Sequence, residues 1–169
     1  SGKLSAIGNS LSTPIPTEPA LFKVDSGKIS QLAIQNADGD SLKAQLGNDG
    51  NWTVTEPKGS PVTASQIESA ILEIKGWTVM SELDPAPPLS SMGLDSPANV
   101  IKLTGQNGQV QSIVIGNSTP SGIGYYVELN GGAPLIISKS NVDQVLQVIP
   151  ARPTQTAAPV QNQTTTPTP

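Results

Sequence analysis

Polar and apolar residues alternate with period two over Ile29–Gln35, where Leu32 and Ile34 share a face, and again over Ser41–Leu46, where Leu42, Ala44 and Leu46 do. An apolar side chain at every second position marks a half-buried strand. Asp38-Gly39 sits between the two runs and reads as the turn of a hairpin. Asn48-Asp49-Gly50 makes a second turn, and Asn51–Thr55 alternates Trp52 and Val54 inward with Thr53 and Thr55 outward, so the three runs form a meander. The period then changes. Thr63 with Gln66 three residues later has the spacing of a capping box, and Ile67, Ala70, Ile71 and Ile74 follow as the stripe of an amphipathic helix that ends at Gly76.

The same grammar recurs downstream. Val100–Thr104 and Val110–Ile115 read as strands around Asn107-Gly108, a strong hairpin signal, and Gly116–Gly124 reads as a flexible loop. Tyr125–Leu129 and Leu135–Ile137 read as two more strands joined through Asn130-Gly131-Gly132. Ser140 then caps a helix with apolar positions at Val142, Val145, Leu146 and Ile149, stopped by Pro150 and Pro153. Between the repeats, Trp77–Leu83 suits a strand, and Asp84–Pro88 a stiff extended connector because proline fixes φ and lacks a donor. The pattern predicts an α+β fold: a mostly antiparallel sheet from two similar strand-meander-plus-helix halves, about 21–83 and 94–150, with two amphipathic helices packed on it. Each stripe, at Ile67 and at Val142, is expected on the strands of its own half. Periodicity leaves one sheet or two open.

Length and composition set the frame around that domain. Of 169 residues, the first 20 hold Pro14, Pro16 and Pro19 among Ser and Thr, and suit an extended linker. Residues 151–169 carry one charge, Arg152, and no aromatic, which suits a disordered Thr/Pro/Gln tail. A single domain at 21–150 is long enough to bury its own core without disulfides or metal. Nine basic residues, scattered, against 13 acidic ones give a net charge of −4 and no footprint for nucleic acid. No apolar run of 18 residues occurs, so no direct membrane insertion is expected. The chain begins at Ser1 without methionine, which leaves room for an upstream signal or anchor. Low charge and Pro/Thr-rich ends suit an extracytoplasmic location.

The chemistry the chain lacks narrows its class of job. There is no histidine and no cysteine, so the commonest general base and the strongest nucleophile are both missing. No Gly-x-Ser-x-Gly elbow occurs either. Asp38, Asp40 and Asp49 cluster in two turns, but the spacing does not complete a calcium loop, and Asp, Asn and Gly are the residues turns require. Glu56, Glu68, Glu73, Glu82, Asp84 and Glu128 select no pair for glycoside hydrolysis; Glu68 and Glu73 point away from the helix stripe. Gly116–Gly124 resembles a phosphate loop only superficially, since no Lys follows and a strand comes next. Trp52 and Trp77 lie in apolar patterns and are expected in the core. Tyr125 and Tyr126 face opposite sides of their strand, so one is expected to be exposed.

Leu21-Phe22-Lys23-Val24-Asp25, Asn51–Pro57 with Trp52, Met92-Gly93-Leu94-Asp95-Ser96-Pro97, Ile113-Val114-Ile115-Gly116 and Tyr126-Val127, in that order, resemble the bacterial domain-of-unknown-function family 4340 over residues 21–149. The resemblance implies an uncharacterised α+β domain, usually placed after an N-terminal membrane anchor and exposed outside the cytoplasm; some relatives accompany transporter-like gliding or export components. It supplies no catalytic or binding residues. The expectation is therefore a non-catalytic extracytoplasmic protein-interaction domain, accessory to a membrane-associated assembly, at the cell envelope. It takes no cofactor and no metal, and presents Asn117, Ser118, Gly122, Gly124, Tyr125 and Tyr126 to a protein partner. The alternative is a glycan or small-ligand binding module using the tyrosines or tryptophans. A hydrolase without histidine ranks third.

Overall fold

The computed structural model describes residues 29–150, so the expected linker at 1–20, the Leu21–Asp25 element and the tail at 151–169 lie outside the described residues. Eight strands form one antiparallel sheet in the order β3-β2-β1-β5-β6-β7-β8-β4. The strands are β1 (Ile29–Gln35), β2 (Ser41–Leu46), β3 (Trp52–Glu56), β4 (Val79–Glu82), β5 (Asn99–Gly105), β6 (Val110–Ser118), β7 (Gly124–Leu129) and β8 (Leu135–Ser138). The helices are α1 (Ala64–Lys75), α2 (Leu89–Met92) and α3 (Lys139–Leu146). The fold is α+β and the sheet is continuous. Its first meander, β3-β2-β1, joins the second through the β1–β5 pairing, in which Leu32 lies opposite Leu103 and Ile34 opposite Ile101.

Register explains which face is dry. Leu32 and Ile34 of β1 stand beside Ala44 and Leu42 of β2, Ile101 beside Ile113 of β6, and Ile115 beside Val127 of β7. All these side chains are buried, and Ile67, Ile71 and Ile74 of α1 and Val142 and Val145 of α3 complete the same core. Each Leu, Ile or Val among them contributes roughly 1.5–3 kcal/mol by leaving water. α1 contacts β3, α3 contacts β7 and β8, and the two helices contact each other. The opposite face carries the exposed Gln31, Gln35, Lys43, Gln45 and Lys102, as expected for an antiparallel sheet with one solvated side. There Lys43 pairs with Glu56 across β2 and β3 at 2.7 Å.

Several expectations need correction. The loop expected over Gly116–Gly124 is only residues 119–123, because β6 continues to Ser118 and β7 starts at Gly124. The reason is a bulge: Ile115 pairs with Val127 and Ser118 with Tyr125, so Gly116 and Asn117 together oppose Tyr126. Small polar residues that read as loop are a strand with one extra residue. Gly116 has no room for a side chain, since a Cβ there would overlap the Met92 carbonyl oxygen. The Pro-rich connector is not uniformly extended; it bends at Asp84 and Pro85 and leads into α2, where Met92, and just after it Leu94, are buried apart from the main core.

Ser140 is not a cap. α3 begins at Lys139 directly after β8, with Ser138 in the cap position and no side-chain cap hydrogen bond. The first helical amide, Lys139 N–H, instead donates to the Ile123 carbonyl at 3.0 Å. An orphan donor at a helix start needs some acceptor, and here another element supplies it. α3 also ends before its prolines, at Leu146, through a tight turn in which Val148 N–H reaches Val145 O and Ile149 N–H reaches Leu146 O. That turn brings Val148 into the core and leaves Leu146 and Ile149 only partly buried. Among the described residues no helix is long and apolar enough to cross a membrane.

Candidate interaction surface at the β6–β7 hairpin

The hairpin end is built around Thr119, which is buried although polar. Its amide donates to Gly124 O at 2.8 Å, its carbonyl accepts from Gly122 N–H at 2.8 Å, and its hydroxyl accepts from Gly124 N–H at 3.3 Å. Ser121 Oγ adds a contact to Thr119 Oγ1 at 3.1 Å. The chain turns at Gly122, φ 71°, a value that favours glycine. Gly124 is needed for a different reason: a Cβ there would lie 2.6 Å from Ile136 Cγ2 and 2.9 Å from Ile137 O. With the Ile123 carbonyl also held by α3, the loop read from sequence as flexible is tied at both ends. Its tip presents Ile123 at 59 % exposure.

Beside that tip stands a cluster of three polar side chains. Lys139 Nζ donates to Asp143 Oδ2 and to Tyr125 Oη, both at 2.7 Å, and Tyr125 Oη donates to Asp143 Oδ1 at 3.0 Å. The ammonium also lies 4.7 Å from the centre of the Tyr125 ring, within cation–π range. These contacts, the Asp143 bond first and the Tyr125 bond second, hold the Lys139 pKa above its ordinary value. Lys139 and Asp143 sit one helical turn apart, so their pairing is legible as an i,i+4 spacing. Tyr125 is 14 residues upstream of Lys139 on another strand, and no local signal announces it.

The residues expected to form one surface divide among several places. Asn117, Ser118 and Gly122 are exposed, whereas Gly124 is buried. Tyr125 packs its ring against the core and Tyr126 projects to the opposite face, and both are half-buried. The expectation of one exposed tyrosine is corrected, since both are half-buried: Tyr125 is held under Lys139, and Tyr126 lies beside Ile136 in the β7–β8 register. Ile123, not singled out by sequence, is the prominent apolar group at this end.

A family model described as Domain of unknown function (DUF4340) matches residues 52–149, from β3 through the turn after α3. The chain belongs to that family. No curated protein and no solved structure matches it. The matched stretch of this DUF4340 chain contains the whole hairpin end and the Lys139 cluster.

The other residues considered in this family member have structural employment. Trp77 is buried in the core and Trp52 packs half-buried against it, so neither offers an open platform. Asn36 Oδ1 accepts from Asp40 N–H at 2.8 Å, and Asp49 accepts from the Asn51 amide at 3.1 Å and side chain at 2.9 Å. Those Asn51 bonds, the side-chain one first, hold the Asp49 carboxyl below its ordinary pKa. The acids and amides of these turns serve turn geometry. Among the described residues no three acidic or other ligand side chains are grouped to hold a metal ion.

Proposed function

We propose that this chain is a non-catalytic, extracytoplasmic protein-interaction domain, an accessory part of a membrane-associated assembly, that docks through the β6–β7 hairpin end and the start of α3. The observation that carries this reading is Ile123: an apolar side chain 59 % exposed at the tip of a hairpin fixed by hydrogen bonds at Thr119 and Lys139. A rigid apolar knob loses little entropy when a partner covers it. Polar groups adjoin it at Ser118, whose hydroxyl donates to Gly124 O, and at Lys139, whose amide donates to the Ile123 carbonyl, and a polar border is usual around a small apolar contact. Met80, 48 % exposed, adds a second apolar group on β4, which lies two strands from β7 at the same margin. The aromatic rings are engaged in packing, which gives the glycan reading less to stand on. We also read the sheet as two meander-plus-helix halves, with the first lending β4 to the margin of the second, where Val79 pairs with Ile137.

Affinity purification of the full-length protein from its native membrane, as wild type and as Ile123→Asp, tests the reading. One stoichiometric protein is expected with the wild type and not with Ile123→Asp, whose melting should be unchanged because Ile123 is exposed. Equal recovery with both, or no stoichiometric partner at all, contradicts it.

A further inference from the structure

The solvated face of the sheet holds a dip of about 250 Å³ over β1, lined by Ala33, Gln35, Ser41, Lys43, Val100 and Lys102. Register accounts for it. Ala33 stands directly between Lys43 of β2 and Lys102 of β5, and Gln35 between Ser41 and Val100, so two rows of side chains cross the same three strands. Neighbouring strands lie about 4.8 Å apart, which sets the two lysines roughly 10 Å apart with only a methyl group between them. The two cations are not equivalent. Lys43 gives its ammonium to Glu56 on β3, on the side away from Ala33, so what it lends the dip is its methylene stem. Lys102 has no ion pair among the described residues. Its cross-strand neighbours Ala33 and Ser112, and Val100 and Thr104 along its own strand, are all uncharged.

We propose that this dip is a binding site for a small organic acid with one carboxylate and a short apolar body. One cation without a partner calls for one negative charge, and an ammonium–carboxylate contact is stronger than a neutral hydrogen bond. Gln35 and Ser41 add neutral hydrogen-bonding groups beside it. Ala33, Val100 and the Lys43 stem supply apolar walls, and small-ligand sites share this combination of apolar lining with a few polar groups. At about 30 Å³ per water-sized group, the space suits a ligand of roughly eight non-hydrogen atoms. The site lies on the sheet face opposite α1 and α3 and stands whether or not the hairpin end docks a partner.

Titration of hexanoate into the full 169-residue chain, followed by amide NMR shifts, tests it. Saturable shifts are expected at residues 33, 35, 41, 100 and 102. Lys102→Gln should weaken binding by about tenfold or more, the loss of one charge-assisted hydrogen bond. Ala33→Leu should do the same by filling the dip while both lysines stay in place. Lys58, exposed in the turn after β3, is the control, and Lys58→Gln should bind as wild type. These positions lie on the solvated surface, so each variant keeps its fold, which its melting point checks. Inorganic phosphate, charged but without an apolar body, should bind about tenfold more weakly than hexanoate. Shifts that do not saturate, binding that survives Lys102→Gln, or an equal loss with Lys58→Gln overturns the proposal. Phosphate binding as tight as that of hexanoate, or an Ala33→Leu variant that binds as wild type, overturns it in favour of a bare charged patch.

Discussion

α1 and α3 cover the same sheet face and share one core, yet their ends are fixed by different means. α1 runs 12 residues, starts at a reciprocal capping box between Thr63 and Gln66, and stops at Gly76, whose amide reaches the carbonyls of Leu72 and Glu73. α3 runs eight residues and has neither a side-chain cap nor a glycine stop. Its first amide is held by Ile123 on the hairpin, and its first turn is held by Tyr125 through Lys139 and Asp143. One helix is specified by neighbours in sequence and the other by neighbours in space. An eight-residue helix is too short to be stable by propensity, so the second arrangement makes α3 and the hairpin a single unit.

The largest break in this comparison should come from a charge in the shared core. Ile71 is buried, so Ile71→Asp should cost more than about 4 kcal/mol and abolish cooperative unfolding. Leu146 is only partly buried, so Leu146→Asp should keep a cooperative transition at a lower midpoint. Equal loss in both would show that α3 is buried more deeply than its exposure indicates. Next, Thr63→Ala removes the hydroxyl that accepts from Gln66 N–H while leaving the Thr63 backbone N–H to donate to Gln66 Oε1, and should destabilise by about 1 kcal/mol in denaturant titrations.

Tyr125→Phe should have a smaller effect on global stability but a selective one. It deletes the hydroxyl that Lys139 and Asp143 share, so amide exchange should quicken in α3 and in residues 119–124 while α1 keeps its protection. Uniform change across both helices would contradict the separation. Ser140→Ala should stay within about 0.5 kcal/mol of wild type, since the Ser140 hydroxyl meets only Ser138 and Asn141 side chains.

The smallest effect is a pH dependence. The folded state raises the Lys139 pKa above its ordinary 10.5, so the proton is bound more tightly when folded. Its contribution is therefore fully present below that value and is lost as pH rises through the raised one. The stability gap between wild type and Lys139→Gln should stay constant from neutral pH to about 10 and close above it. A gap that widened with alkalinity would reverse the assigned cause.

What the sequence disclosed follows the same division. β1 and β2 match their period-two runs residue for residue, and α1 is framed by its own cap and stop, because each of those signals lies within a few residues. The hairpin end was misread for the opposite reason. Gly116 and Asn117 have the composition of a loop, and only pairing with β7 makes them a bulge. Ser140 has the composition of a cap, and only the Ile123 carbonyl makes Lys139 the helix start. Of the candidate surface, Asn117, Ser118 and Gly122 were legible as small polar residues, while Ile123 and the Lys139–Tyr125–Asp143 cluster depend on strands and helix meeting.

Site-specific photo-crosslinking in intact membranes puts the proposed docking end to the most direct test, with one crosslinker at position 123 and a control at position 53 on the exposed side of β3 at the far margin. The account predicts one discrete protein adduct from position 123 and none from position 53. An adduct from position 53 alone, or the same products from both positions, would contradict it.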